Sequence, residues 1–172
     1  MDLSIVMPVF NNSASLATTL VRMTNACSGF DYEIIVVDNA SDKKELDNMR
    51  SLLVANRRAR LHENKVRRNT AASCNTGFRL ARAEVVFFLE PEDSFNTNYI
   101  IRRLKRHQDT RIDIIFGNYV TVSDRNVRSY RFDYKEGATG ADFLFIDMGD
   151  IRTSTISLRK KDDRRFLFPE FL

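Results

Sequence analysis

Three carboxylates crowd into four positions where an apolar run stops: Glu90, Glu92 and Asp93 follow "EVVFFL" directly, with Pro91 between the first two. Each carboxylate raises the cost of ionising its neighbours, so the cluster asks for positive charge supplied from elsewhere. The plainer reading is a solvated loop in which Asp93 or Ser94 caps the next helix. Two further polar groups follow apolar runs in the same way. Pro8, Val9, Phe10 and Asn11 close "LSIVMPVF", and Asp38, Asn39 and Ser41 follow "YEIIVV". Asp38 also has a plain reading, as the cap of a turn.

These groups act together only if the elements before them end at one place. "LSIVMPVF", "YEIIVVD", "ARLHEN" and "EVVFFLE" read as strands, and "IDIIFGNYVTVS" as one further strand. Between them "ASLATTLVRMTNAC", "SDKKELDNMRSLLVANRR", "TAASCNTGFRLARA" and "NTNYIIRRLKRHQ" carry helical periodicity. Capping residues stand in "NNS" and "SD", and Gly29 is expected to stop the first helix. Strands alternating with helices predict an α/β sandwich with a mostly parallel sheet. In such sheets ligands bind beyond the carboxyl ends of the strands, where strand order reverses. After about Asp124 the pattern changes. "VRSYRFDY" and "TSTISLRK" read as exposed or edge strands, with "TGADFLFIDMG" as a helix capped by Thr139. No linker interrupts the chain, which predicts one domain.

With 172 residues, 43% hydrophobic and 29% charged, the chain can bury its own core and is too apolar for disorder. "MDLSIVMPVF" has no basic lead and soon turns polar, so neither a signal peptide nor a membrane span is expected. Cys27 and Cys74, far apart and without metal-ligand spacing, read as reduced, buried thiols of a cytoplasmic protein. His62 and His107 have no partner spacing for a triad or a metal. Basic residues cluster as Arg57, Arg58 and Arg60, as Arg67 and Arg68, and as Arg102, Arg103, Lys105 and Arg106. The last group reads as a solvated helix face, the alternative being peripheral association with an anionic membrane surface. Nucleic acid is not an expected partner, because no aromatic stacking array accompanies the charges.

"SIVMPVFNN", "EIIVVDNASD", "SCNTGFRLARAEVVFFLEPED" and the late "FLFPE" stand in the order and spacing of the family 2 glycosyltransferases. The chain resembles that family over nearly its whole length. The resemblance implies the GT-A nucleotide-diphospho-sugar transferase fold, a three-layer α/β/α sandwich with a mostly parallel central sheet. It implies one domain over 1–172, with 1–123 as the nucleotide-binding half and 124–172 as a partial acceptor-side half. The implied activity moves a sugar from a nucleoside diphosphate donor, expected to be a UDP-sugar, to a glycan or lipid-linked acceptor hydroxyl. That is chemistry of polysaccharide biosynthesis, expected in the cytoplasm or at the inner face of the membrane. Carried over by motif position, Pro8, Val9, Phe10 and Asn11 border the base and ribose, and Asp38 accepts a hydrogen bond from the base. Asn39 completes that second motif, and Asn75 matches the Asn-x-Gly of the third helix. Glu90 contacts ribose or a metal-bound water, while Glu92 and Asp93 hold Mg²⁺ or Mn²⁺ against the donor phosphates. Such ions take oxygen ligands, commonly one or two carboxylates plus substrate phosphates. Apart from the motifs, Arg67 and Arg68 precede the third helix on the ligand side of the sheet, where one of them, Arg68 being the residue chosen, is expected to reach the diphosphate.

The chain also departs from the family pattern. Glu90-Pro91-Glu92 replaces Asp-x-Asp, lengthening each arm by one methylene; Phe10 lacks the usual tyrosine hydroxyl; Cys74 and Asn69 replace Arg and Gly. The family's general base lies a few residues past the segment that "FLFPE" resembles. It is therefore expected beyond Leu172, and no catalytic residue is assigned within the chain. Two classes of function follow, a glycosyltransferase or a sugar-nucleotide-binding domain without turnover. A nucleotidyltransferase fits less well, since "PVFNNSAS" is no Gly-rich phosphate loop.

Overall fold

A computed structural model describes residues 1–123, 126–130, 153–160 and 168. Its strands are β1 (Leu3–Val9), β2 (Tyr32–Asp38), β3 (Ala59–Glu63), β4 (Val85–Phe88), β5 (Ile114–Phe116), β6 (Tyr119–Ser123), β7 (Asn126–Tyr130) and β8 (Ile156–Arg159). The helices are α1 (Ser13–Ala26), α2 (Lys43–Val54), α3 (Thr70–Leu80) and α4 (Thr97–His107). Six strands form one sheet in the order β3-β2-β1-β4-β8-β5, in which β1 to β4 are parallel and β8 is antiparallel to both neighbours. β6 and β7 form a separate antiparallel hairpin.

β1 and β2 are buried at every position because both sheet faces are covered, which is why they read as unbroken apolar runs. On one face Leu3, Ile5, Met7, Ile34, Val36 and Phe87 pack with Leu16 and Met23 of α1, Met49 of α2 and Ile100 of α4. On the other, Val6, Ile35, Val37, Val86 and Phe88 pack with Cys74 and Phe78 of α3. These are the three layers of an α/β/α sandwich. Both cysteines are buried and free, and burial pushes the Cys27 thiol up to about 11. No helix among the described residues is long and apolar enough to cross a membrane.

Four expectations are corrected. α1 ends at Ala26 with Cys27 as its cap, before Gly29, whose surroundings are open. "IDIIFGNYVTVS" is two strands and not one. Gly117 separates them, donating its N–H to the Thr155 carbonyl at 2.9 Å and leaving no room for a Cβ beside the Tyr99 hydroxyl. "TSTISLRK" yields a buried strand between β4 and β5, and not an exposed or edge strand. Its polar residues find partners inside: Ser157 accepts from Arg103 Nε at 3.1 Å, and Arg159 donates to the Glu84 carboxylate and to the carbonyls of Ile112 and His107. Finally, the basic run of α4 is not one solvated face. Arg102, Lys105 and Arg106 are exposed, but Arg103 is 4% exposed and lies over the Phe87 and Tyr99 rings. Burial lowers its pKa to about 10, so it stays charged at neutral pH. The helix of "TGADFLFIDMG", with Thr139, lies outside the described residues, as does the second half of "VRSYRFDY".

At the amino end of β1 and β2, Glu33 joins four segments. It accepts from the Ser4 hydroxyl at 2.8 Å, the Arg82 N–H at 2.7 Å and Arg60 Nε at 3.1 Å. Burial pushes its pKa up, but the Arg82, Ser4 and Arg60 donors together hold it below the usual carboxylate value. The clamp sits at the end of the pairing opposite to Val9 and Asp38.

Candidate functional site

The parallel register brings the polar groups together. Val9 pairs with Asp38, and the Asn39 N–H donates to the Val9 carbonyl at 2.8 Å, so β1 and β2 finish side by side. Phe88 pairs with Val6 and the Leu89 N–H donates to the Val6 carbonyl at 3.0 Å, so the acidic loop leaves the sheet on the other flank of β1. Strand order reverses at β1, whose neighbours are β2 and β4. That is where an open α/β sheet receives ligands.

Asp38 is 1% exposed, and among the described residues its side chain accepts only the Ser41 N–H, shared between both oxygens at 3.2 Å. The turn-capping reading is therefore true but incomplete. One long, divided hydrogen bond leaves most of a buried carboxylate's acceptor capacity unused, where two or three donors are the usual requirement. Beside it the backbone is strained: Asn11 and Ala40 have φ of 48° and 61°, in the left-handed region that costs an alanine about 1–2 kcal/mol. Hydrogen bonds maintain it. The Asn11 N–H donates to Ser41 Oγ at 2.9 Å, and its amide exchanges bonds with Asp42 at 3.1 and 2.8 Å.

Phe10 is half-buried, and the Arg67 guanidinium lies over its ring 3.8 Å from the centroid. Asn39 does not turn its amide to the open space. Its Oδ1 accepts the Arg68 N–H at 2.9 Å and its Nδ2 donates to the Arg68 carbonyl at 2.6 Å, in the manner of a strand partner. Asn75 does the same for Phe168, donating to its carbonyl and accepting its N–H, each at 2.8 Å. The Phe168 ring then meets Phe88 edge-on at 5.0 Å.

The acidic loop is a turn closed by the Asp93 N–H on the Glu90 carbonyl at 3.0 Å. Neither Asp93 nor Ser94 caps α4; Asn96 does, accepting from the Asn98 N–H. The cap of α1, Asn12, and Thr19 within α1 fix the loop, a role for which the sequence expectations named neither. Asn12 caps α1 through Oδ1 while its Nδ2 donates to Glu92 Oε1 at 2.5 Å, and the buried Thr19 hydroxyl donates to the Pro91 carbonyl at 2.7 Å. Nothing local marks either pair, because the partners lie 80 and 72 positions apart. We expect Thr19→Val to cost about 1–2 kcal/mol in a urea titration, since it keeps the shape and strands a buried carbonyl.

For a cation, the telling atom is Asp93 Oδ2, which is buried and has no hydrogen-bond partner among the described residues. Glu92 adds the oxygen not taken by Asn12. Among the described residues no three acid, His or Cys side chains cluster as a complete metal cage. The donor set therefore fits an ion that takes one or two carboxylates and completes its shell with phosphate oxygens.

Residues 4–166 match the family model described as "Glycosyl transferase family 2". The chain belongs to glycosyl transferase family 2. It is 30% identical over 121 residues to the poly(ribitol-phosphate) beta-N-acetylglucosaminyltransferase TarP of Staphylococcus aureus, covering 67% of this chain and 36% of TarP. It is 28% identical to the amylovoran biosynthesis glycosyltransferase AmsB of Erwinia amylovora, covering 97% of this chain and 58% of AmsB. This family 2 chain thus spans about one third to three fifths of the length of these relatives. The mannosyltransferase PcManGT of Pyrobaculum calidifontis, solved with GDP-Man and Mn²⁺, superposes with a TM-score of 0.60 at 19% identity, over 67% of this chain and 34% of that one. S. aureus TarS with UDP-GlcNAc gives 0.55 at 19% identity, again over 67% of this chain and 34% of the other. These likenesses establish the GT-A fold.

Proposed function

We propose that this chain carries the donor site of a glycosyltransferase that moves a sugar from a nucleoside diphosphate, uridine-based, to a hydroxyl of a glycan or lipid-linked acceptor. The observation that carries this reading is the buried, under-bonded Asp38 carboxylate beside the Phe10 ring. A base laid on that ring offers a ring N–H to Asp38, as uracil and guanine both can. Relatives support the class of substrate: TarP and AmsB are named as glycosyltransferases, and TarS was solved with UDP-GlcNAc. Pro8, Val9 and Asn11 shape the edge of the base and ribose subsite, with Glu90 on its far side. Asn39 and Asn75 contribute by holding the segments at Arg68 and Phe168 in place, and the Arg68 side chain is directed to the diphosphate.

Glu92 and Asp93 would hold Mg²⁺ or Mn²⁺. When bound, the ion supplies Lewis-acid stabilisation of the departing diphosphate. The chain's own part is to keep Asp93 Oδ2 uncommitted, and to fix Glu92 through Asn12 so that its second oxygen stays available.

Calorimetric titration with UDP and GDP, with and without Mn²⁺, tests the proposal. Wild type should bind one nucleotide more tightly with Mn²⁺. Asp38→Ala should weaken binding about tenfold in both conditions, the worth of one charged hydrogen bond. Asp93→Asn should bind normally without metal and lose the gain from Mn²⁺. Absence of nucleotide binding by the wild type in every condition would end the proposal.

A further inference from the structure

We propose that Arg67 is a built-in competitor for the base subsite: its guanidinium stands on the face of Phe10 that a nucleobase covers, and donor binding displaces it. The inference rests on the nucleotide reading above, with Phe10 as the stacking platform. A guanidinium is flat and delocalised, and at 3.8 Å from the ring centroid it occupies a stacking position. A base and this cation cannot share that face.

The contact is made to be exchanged. Arg67 is exposed and makes no hydrogen bond or ion pair among the described residues, so the ring alone retains its head group. Leaving the ring strands no buried charge. Glu63, the acid that opens this segment, is itself taken by Arg50 at 2.8 and 2.9 Å and does not draw Arg67 aside. The backbone, by contrast, is fixed. Asn39 grips both backbone polar atoms of the next residue, Arg68, at 2.9 and 2.6 Å, so the side chain swings from an anchored root and returns when the site empties. Base-on-aromatic stacking is the stronger contact and wins the exchange, but it gives up what the cation–π contact was worth.

Uridine carries no phosphate and so separates stacking from attraction between charges. Uridine, guanosine and UDP are titrated into the 172-residue chain and its Arg67→Gln variant, with binding followed by NMR. The nucleoside that binds wild type should bind Arg67→Gln about two- to fivefold more tightly, the exposed cation–π contact converted to an affinity ratio. Phe10→Ala should weaken nucleoside binding and, in combination with Arg67→Gln, abolish the gain that the arginine substitution gives on its own. Unchanged or weaker nucleoside binding by Arg67→Gln overturns the inference and leaves the nucleotide reading standing. Failure of wild type to bind any of the three overturns both.

Discussion

Gly77→Ala should destabilise the fold by about 3 kcal/mol, at the upper end of the range for forcing a methyl group into a packed core. A Cβ at this position would lie 2.2 Å from Val6 Cγ1, 3.0 Å from Cγ2 and 3.1 Å from Val6 Cβ. Turning the valine about χ1 relieves the first two contacts but not the third. Val6 is fully buried in a strand with neighbours on both sides, so it cannot step back. The alternative is for α3 to move away from β1, which would loosen Phe78 from Phe88 and pull Asn75 from Phe168. Guanidinium denaturation reads the loss. Val6→Ala in the same chain should restore part of it, because it removes the two closest clashing atoms. Equal stability of wild type and Gly77→Ala would show that α3 does not need this close approach.

Acidification should remove about 3 kcal/mol of stability between pH 6.5 and 4, and His107 is the reason. Its ring is 3% exposed, with Nε2 2.8 Å from Ser157 Oγ. Because Arg103 already donates to that oxygen, the Ser157 hydroxyl proton is free to donate to the ring, which favours a neutral imidazole. Burial pushes the pKa down to about 4; the Ile112 backbone pulls the other way, and the nearby Arg159 and Arg103 guanidiniums push with burial. The unfolded chain takes up its proton near pH 6.5 and the folded one near 4. Between these values the unfolded state binds more protons, so stability rises with pH there, by up to about 1.4 kcal/mol per unit. Above 6.5 the dependence vanishes. Glu33, held below its ordinary value, adds a separate loss at lower pH as its protonation breaks the clamp. Urea titrations at half-unit steps check this, and His107→Gln should flatten the upper window while sparing the lower. Parallel profiles for both chains would assign the acid sensitivity elsewhere.

The parts of the fold that were legible in the sequence are those whose signal is local. "YEIIVVD" is β2 to the residue, because a run buried on both faces carries no polar interruption after its first turn of the pleat and ends at an acid. α1 was legible from its spacing and from Asn12 as cap. β8 was not, because Ser157 and Arg159 alternate with Ile156 and Leu158 in the pattern of a half-exposed strand. Their partners, Arg103, Glu84 and the carbonyls of Ile112 and His107, lie far back in the chain. Arg103 was hidden in the same way among basic neighbours that do face water. At the candidate site, motif order singled out Asp38, Phe10 and the acids, and the register brings the segments that carry them to one end of the sheet. Motif order gave no hint that Asn39 and Asn75 use their amides as surrogate strand partners, since an amide's partner is a matter of three-dimensional reach.

The place of β8 in the sheet has a consequence for the newborn chain. β4 and its partner β1 both lie within the first 88 residues, but the other edge of β4 waits for a strand made about 70 residues later. At about 5–20 residues per second that is roughly 4 to 14 seconds. During this interval Val85 to Phe88 present an apolar edge with unpaired backbone groups, and β5, synthesised before β8, has no neighbour to join. Such an edge templates pairing with other chains. The seams on either side of β8 are therefore closed last, and nascent chains stalled before Ile156 are the form most exposed to aggregation and to chaperone capture.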